Sequence, residues 1–140
     1  MLAVPTWASP ASVAIQKAYN KEADAAHWKF MAGMWSARDL DFQAYGLHGE
    51  RLDHRSEVAQ MTELLEEAES VKETVTIVSC RPQDANHAVC RVHDVMTFEG
   101  AKGESLVLDS LADDAWGVTP RGWKLQVSHL VSEKLTRPPH

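Results

Sequence analysis

The stretch from Leu106 to Ser132, LVLDSLADDAWGVTPRGWKLQVSHLVS, decides the fold. Two runs with strand-like alternation flank a break that holds Gly117, Pro120 and Gly122. Glycine tolerates positive φ and proline presets φ near about −65°, so the break supplies the reversal that an antiparallel pair needs. In the second run Trp123, Leu125, Val127, His129 and Val131 share one parity, while Lys124, Gln126, Ser128 and Ser132 share the other. A period of two predicts a strand with one buried face, and it places His129 in the middle of an apolar row. In the first run Leu106, Leu108, Ser110, Ala112, Asp114 and Trp116 form one row, and Val107, Asp109, Leu111 and Asp113 the other. Parity alone does not choose between Asp109 and Asp114 as the carboxylate that faces a pocket.

Upstream, strands are predicted at about Val71 to Pro82, His87 to Glu99 and Glu104 to Trp116, separated by Gln83-Asp84-Ala85-Asn86 and Gly100-Ala101-Lys102-Gly103. In the middle one, Ala88, Cys90, Val92, Asp94, Met96 and Phe98 share a face. Asp94 interrupts that apolar row. A carboxylate there is costly unless it is paired, hydrogen-bonded or kept neutral, and such costs gather at functional sites as well as in structural ion pairs. A bulge would exchange Asp94 for His93.

The N-terminal half reads as helical. From Ala11 to about Ala32 good helix formers dominate, and Ile15, Tyr19, Ala23, Ala26 and Phe30 fall on one stripe with Glu22 at its edge. Gly33 to Arg38 predicts a short helix or turn carrying Trp35, and residues 40 to 45 a short strand ending in Tyr45. Asp53 or Ser56 caps a helix from about His54 to Ser70. Helices first and long antiparallel strands after is an α+β order. The chain of 140 residues suits one domain, with residues 1–9 and 134–140 as loose ends.

Composition removes several function classes. A net charge of −6 argues against nucleic acid, and no apolar run approaches a membrane span. Phosphate loops, nucleophile elbows and zinc spacings are absent, so neither a metal nor another cofactor is expected. Cys80 and Cys90 fit either of two roles, buried small hydrophobes or a cross-strand disulfide. The opening residues do not make a complete signal peptide, so a cytoplasmic location is the default, with secretion left open.

Asp114-Ala115-Trp116, a turn, then Gly122-Trp123-Lys124-Leu125 and Ser128-His129 resemble the closing hairpin of the nuclear transport factor 2-like superfamily, SnoaL-like branch. Asp41 to Gly46 with Gly49 extends the likeness upstream. The resemblance implies a cone-shaped roll, a curved antiparallel sheet wrapped around about three N-terminal helices. It also implies a pocket in the cone, with Tyr19 entering from the first helix. Where the isomerases of that superfamily carry a catalytic Asp, this chain offers Gln43 among the alternating positions. The fold hosts isomerases, dehydratases, cyclases and non-enzymes, so chemistry must be argued from the site.

The expected site has Asp94 or His129 as a proton-abstracting base and Tyr19 as a hydrogen-bond donor to a developing oxyanion. Phe30, Trp35, Tyr45, Asp109 and Trp116 are the expected ligand contacts. The expected ligand is a small apolar molecule. A non-catalytic binding or association module is the rival reading. Rows such as Val89, Val95, Val107 and Leu111 on the outer sheet face suggest a homodimer.

Overall fold

The computed structural model describes residues 10–137. Within them the chain runs α1 (Pro10–His27), α2 (Met31–Met34), β1 (Arg38–Tyr45), α3 (His54–Glu67), β2 (Ser70–Asp84), β3 (His87–Glu99), β4 (Ser105–Thr119) and β5 (Gly122–Thr136). The proposed leading segment, residues 1–9, lies outside the described residues. The sheet order is β1-β5-β4-β3-β2. The four long strands form an antiparallel meander, and β1 adds to the β5 edge in parallel. This is the α+β cone: a curved sheet with α1 packed against β2 on the inner side.

Helix α1 buries Ser12, Ile15, Tyr19, Glu22 and Ala26, a stripe at spacings of three and four. It stops five residues earlier than composition suggests. The Phe30 N–H bonds to Ala25 O at 2.9 Å and the Lys29 N–H to Ala26 O at 3.0 Å, a Schellman closure with Lys29 at φ 56° in the position glycine usually takes. Asp53 caps α3 as expected, accepting from the Ser56 N–H at 3.2 Å.

Three bulges control where the strands aim their side chains. Val78 in β2 has no partner between Ile77↔Val92 and Ser79↔Arg91. Gln126 and Val131 in β5 are likewise extra, the first between Trp116↔Leu125 and Ala115↔Val127, the second between Ala112↔Leu130 and Leu111↔Ser132. Each extra residue inverts the parity beyond it. Strand β5 also runs further than expected, with Thr136 paired to Val107, so residues 134–136 belong to the sheet, while 138–140 lie outside the described residues. Of the two roles open to the cysteines the disulfide is realised: Cys80 and Cys90 are direct cross-strand partners and are bonded.

The apolar core falls into two clusters. One gathers Ile15, Tyr19, Val75, Val92, Trp116 and Leu125 under α1, and the other gathers Met34, Leu65, Val71, Met96, Phe98 and Leu106. On the outer face, ion pairs interrupt the valine rows: Arg91–Asp113 at 2.8 Å and His93–Asp109 at 2.7 Å. Among the described residues no helix is long and apolar enough to cross a membrane.

Candidate functional site

A cavity of about 810 Å³ lies between the inner sheet face, α1 and α3. Four elements aim carboxyls into it. The α1 stripe contributes Glu22 one turn beyond Tyr19. Strand β2 contributes Glu73, and β3 contributes Asp94, whose direct partners are Val75 and Ser110. Glu73 pairs with Met96, so it sits diagonal to Asp94 on the same face, within reach of its side chain. Strand β4 contributes Asp114. The even-numbered row of β4 is therefore the inner one.

Asp114 is 4% exposed and held by two donors. Ser128 donates to Oδ1 at 2.5 Å, and the Tyr19 hydroxyl donates to Oδ2. Trp116 Nε1 in turn donates to the Tyr19 oxygen at 3.0 Å, with the two rings edge to face. Burial pushes Asp114 up to about 6, with Ser128 and Tyr19 holding it down against that push. Burial and the neighbouring Asp114 charge raise the Tyr19 phenol well above its ordinary range. This network is complete, and that limits it: the one Tyr19 proton is already committed.

Glu22 is 9% exposed and accepts the Ala37 N–H at Oε2, 3.1 Å away. Burial raises it to about 7, moderated by that bond and by Arg38. Glu73 and Asp94 act on one another, and both are raised, chiefly by desolvation. Two like charges in one buried space disfavour joint ionisation, so the pair favours keeping a proton. Asp94 Oδ1 is the one buried side-chain polar atom without a hydrogen-bond partner among the described residues. Arg38, the cation nearest the cluster, is taken up elsewhere. Its guanidinium pairs with Glu57 at 3.1 Å and lies over the rings of Trp35 and Phe42. No group of three or more His, Cys, Asp or Glu is placed to hold a metal among the described residues.

Of the residues expected at the site, Asp94, Tyr19, Trp35 and Tyr45 line the cavity. His129 does not. The bulge at Gln126 turns Ser128 and Leu130 inward, leaving His129 exposed on the outside and stacked on Tyr45 at 4.8 Å. Asp109 faces outward to His93, on the odd row of β4. Trp116 is fully buried behind Tyr19 rather than on the cavity wall. Phe30 is 62% exposed because the helix ends before it, and its ring lies over Gly33, where a Cβ would come within 2.8 Å. Sequence reasoning missed Glu22 and Glu73 as cavity carboxyls, and of the two it left open on β4 the structure turns Asp114 inward. Glu73 sits in a row of Val71, Val75 and Ile77, the same interruption of an apolar face that drew attention to Asp94.

The chain matches no family profile and no curated sequence. Solved structures do match its shape. A protein assigned as a scytalone dehydratase from Novosphingobium aromaticivorans is 11% identical, with TM-score 0.72 over 91% of this chain and 87% of that one. A hexachlorocyclohexane dehydrochlorinase of LinA type from Novosphingobium barchaimii is 9% identical, with TM-score 0.66 over 90% of this chain and 88% of that one. A domain of unknown function with a cystatin-like fold from Nostoc punctiforme is 16% identical, with TM-score 0.66 over 91% and 80%. At these identities the likeness carries the fold alone: the chain has the cystatin-like cone.

Proposed function

We propose that this is a SnoaL-like protein that carries out cofactor-free acid–base elimination, a dehydratase-type reaction on a largely apolar substrate. The observation that carries the reading is the Glu73–Asp94 pair: two neighbouring carboxyls, both raised by burial, on the wall of a large cavity, with one Asp94 oxygen unpartnered. Such a pair holds an acid and a base side by side at neutral pH, the arrangement that elimination of water requires. The ionised Asp94 takes a proton from the carbon beside the substrate carbonyl. The carbon–oxygen bond to the leaving hydroxyl breaks as Glu73 protonates it to water, and a double bond forms. The proton now on Asp94 passes to Glu73 and restores the pair. Tyr19 has no part in proton transfer here, because its hydroxyl is engaged by Asp114 and Trp116. The dehydratase and dehydrochlorinase names among the structural neighbours belong to the same broad reaction class and support the reading.

The test is a panel of aromatic and alicyclic β-hydroxy carbonyl compounds, followed by the ultraviolet absorbance of the conjugated product. Asp94→Asn and Glu73→Gln should each lower turnover by roughly 10²-fold or more, since general acid–base catalysis supplies about that much. His129→Ala, on the outer face, should leave turnover within about twofold of wild type. Tight binding of such compounds without any turnover that depends on Asp94 would make the protein a binding module instead.

A further inference from the structure

We propose that the cavity takes a ligand carrying a protonated amine on an apolar body, with the ammonium seated at Glu22. The inference deepens the proposed function, since it assigns a charge to the molecule that occupies the same cavity. It begins with an imbalance. Ten carboxyl side chains line the cavity against two guanidiniums, Arg38 and Arg137, and no lysine. Arg137 is exposed at the rim, and Arg38 is already paired with Glu57. The four inner carboxyls, Glu22, Glu73, Asp94 and Asp114, act on one another electrostatically from four separate elements of the fold. Packing like charges around one space is unfavourable unless a counter-charge enters it.

Two observations place the counter-charge in the ligand. Asp94 Oδ1 is buried with no donor, so the wall lacks a hydrogen-bond donor that a bound molecule can bring. Glu22 is nine-tenths buried, faces the cavity, and has only its Oε2 engaged, by a single backbone N–H. An ammonium offers three donors and a positive charge in one compact group, which suits both needs. The wall also carries apolar and aromatic side chains, with Met34, Trp35, Phe42, Met61 and Leu64 available to the body of the ligand. In the unliganded protein, protons take the place of the missing cation. Their retention among the inner carboxyls is the electrostatic signature of the same deficit. Binding of an ammonium should therefore expel a proton into solution.

The experiment is isothermal calorimetry of the whole chain at pH 7 with three shape-matched probes: phenethylamine, phenethyl alcohol and phenylacetate. The expected order is amine over alcohol over carboxylate, with the amine favoured over the alcohol by roughly tenfold or more. Titrations repeated in buffers of different ionisation enthalpy should show net proton release for the amine alone. Glu22→Gln should bring the amine-to-alcohol ratio close to one. If that variant does not fold, the proton release of the wild-type protein decides the matter by itself. Equal binding of amine and alcohol, preference for the carboxylate, no proton release, or no binding of any probe at millimolar concentration each overturns the proposal. Turnover of a neutral hydroxy compound that depends on Asp94, without amine preference, would overturn this inference and leave the proposed elimination standing. Amine selectivity without turnover of any hydroxy compound would do the reverse.

Discussion

Replacing Glu22 by Gln removes a charge that the fold has to bury, and its effect should depend on pH in a way few surface substitutions can imitate. Glutamine keeps the side-chain length and an oxygen able to accept the Ala37 N–H, which Glu22 accepts at 3.1 Å. In the wild-type protein burial raises Glu22 from 4.5 to about 7. A carboxyl whose folded value is raised binds more protons in the folded state than in the unfolded state between those two values. Stability therefore falls as pH climbs through the window from 4.5 to about 7. Below it the carboxyl is neutral in both states and costs little. Above it the folded protein carries the full burden of the buried charge, at most about 3.5 kcal/mol when each pH unit of separation is worth about 1.4 kcal/mol. Urea unfolding of the two proteins at pH 5 and pH 8 reads this directly. The variant should exceed wild type by only about 1 kcal/mol at pH 5 and by about 3 kcal/mol at pH 8. An equal loss of stability at both pH values would refute the reasoning. It would mean that attraction to Arg38 outweighs burial and that ionised Glu22 stabilises the fold.

Two further outcomes are expected. Tyr19→Phe removes one of the two donors to Asp114 and the acceptor of the Trp116 N–H. The cost should be about 2–3 kcal/mol in thermal or urea unfolding, and larger at pH 8 than at pH 5, because it is the ionised Asp114 that needs its donors. Reducing Cys80–Cys90, or changing both to serine, opens a loop with a sequence separation of 10 and should cost about 2.5–3 kcal/mol. Thiol titration of the protein unfolded without reductant should find no free thiol, and a stoichiometric thiol signal would show that the pair is not bonded.

The fold was legible because its signals are local. Period-two rows in the strands, glycine- and proline-containing breaks, the Asp53 cap and the α1 stripe each follow from neighbouring residues, and each has a counterpart in the structure. What parity could not foresee were the bulges. Gln126 and Val131 look like ordinary members of an alternating run, and nothing in the run marks them as extra. Gly117 is the one trace: a Cβ there would meet the Gln126 amide at 2.5 Å, so the displaced side chain lies where only glycine leaves room. One inserted residue moved His129 from the expected inner row to the outside, whereas β3, with no register shift against β4, kept Asp94 where its parity put it. Helix ends were similarly opaque, since Lys29 adopts the left-handed turn without a glycine to announce it.

The site was harder to read than the fold for a different reason. Glu22, Glu73, Asp94 and Asp114 are separated by about 20 to 50 residues, they form no motif, and each alone has an ordinary structural explanation. Only the curl of the sheet over α1 turns them into one electrostatic unit, and once together they no longer behave as four independent acids. Each ionisation makes the next less favourable, so the set retains protons at a pH where isolated carboxyls have lost them. In the proposed readings that retention serves two kinds of chemistry from one cause: a proton kept by the Glu73–Asp94 pair sets an acid next to a base, and a proton kept on Glu22 holds the place of a cation. His129 would have brought titration near neutrality through an imidazole. The cone raises Glu22 and Asp114 toward the same range by burying carboxyls beside one another.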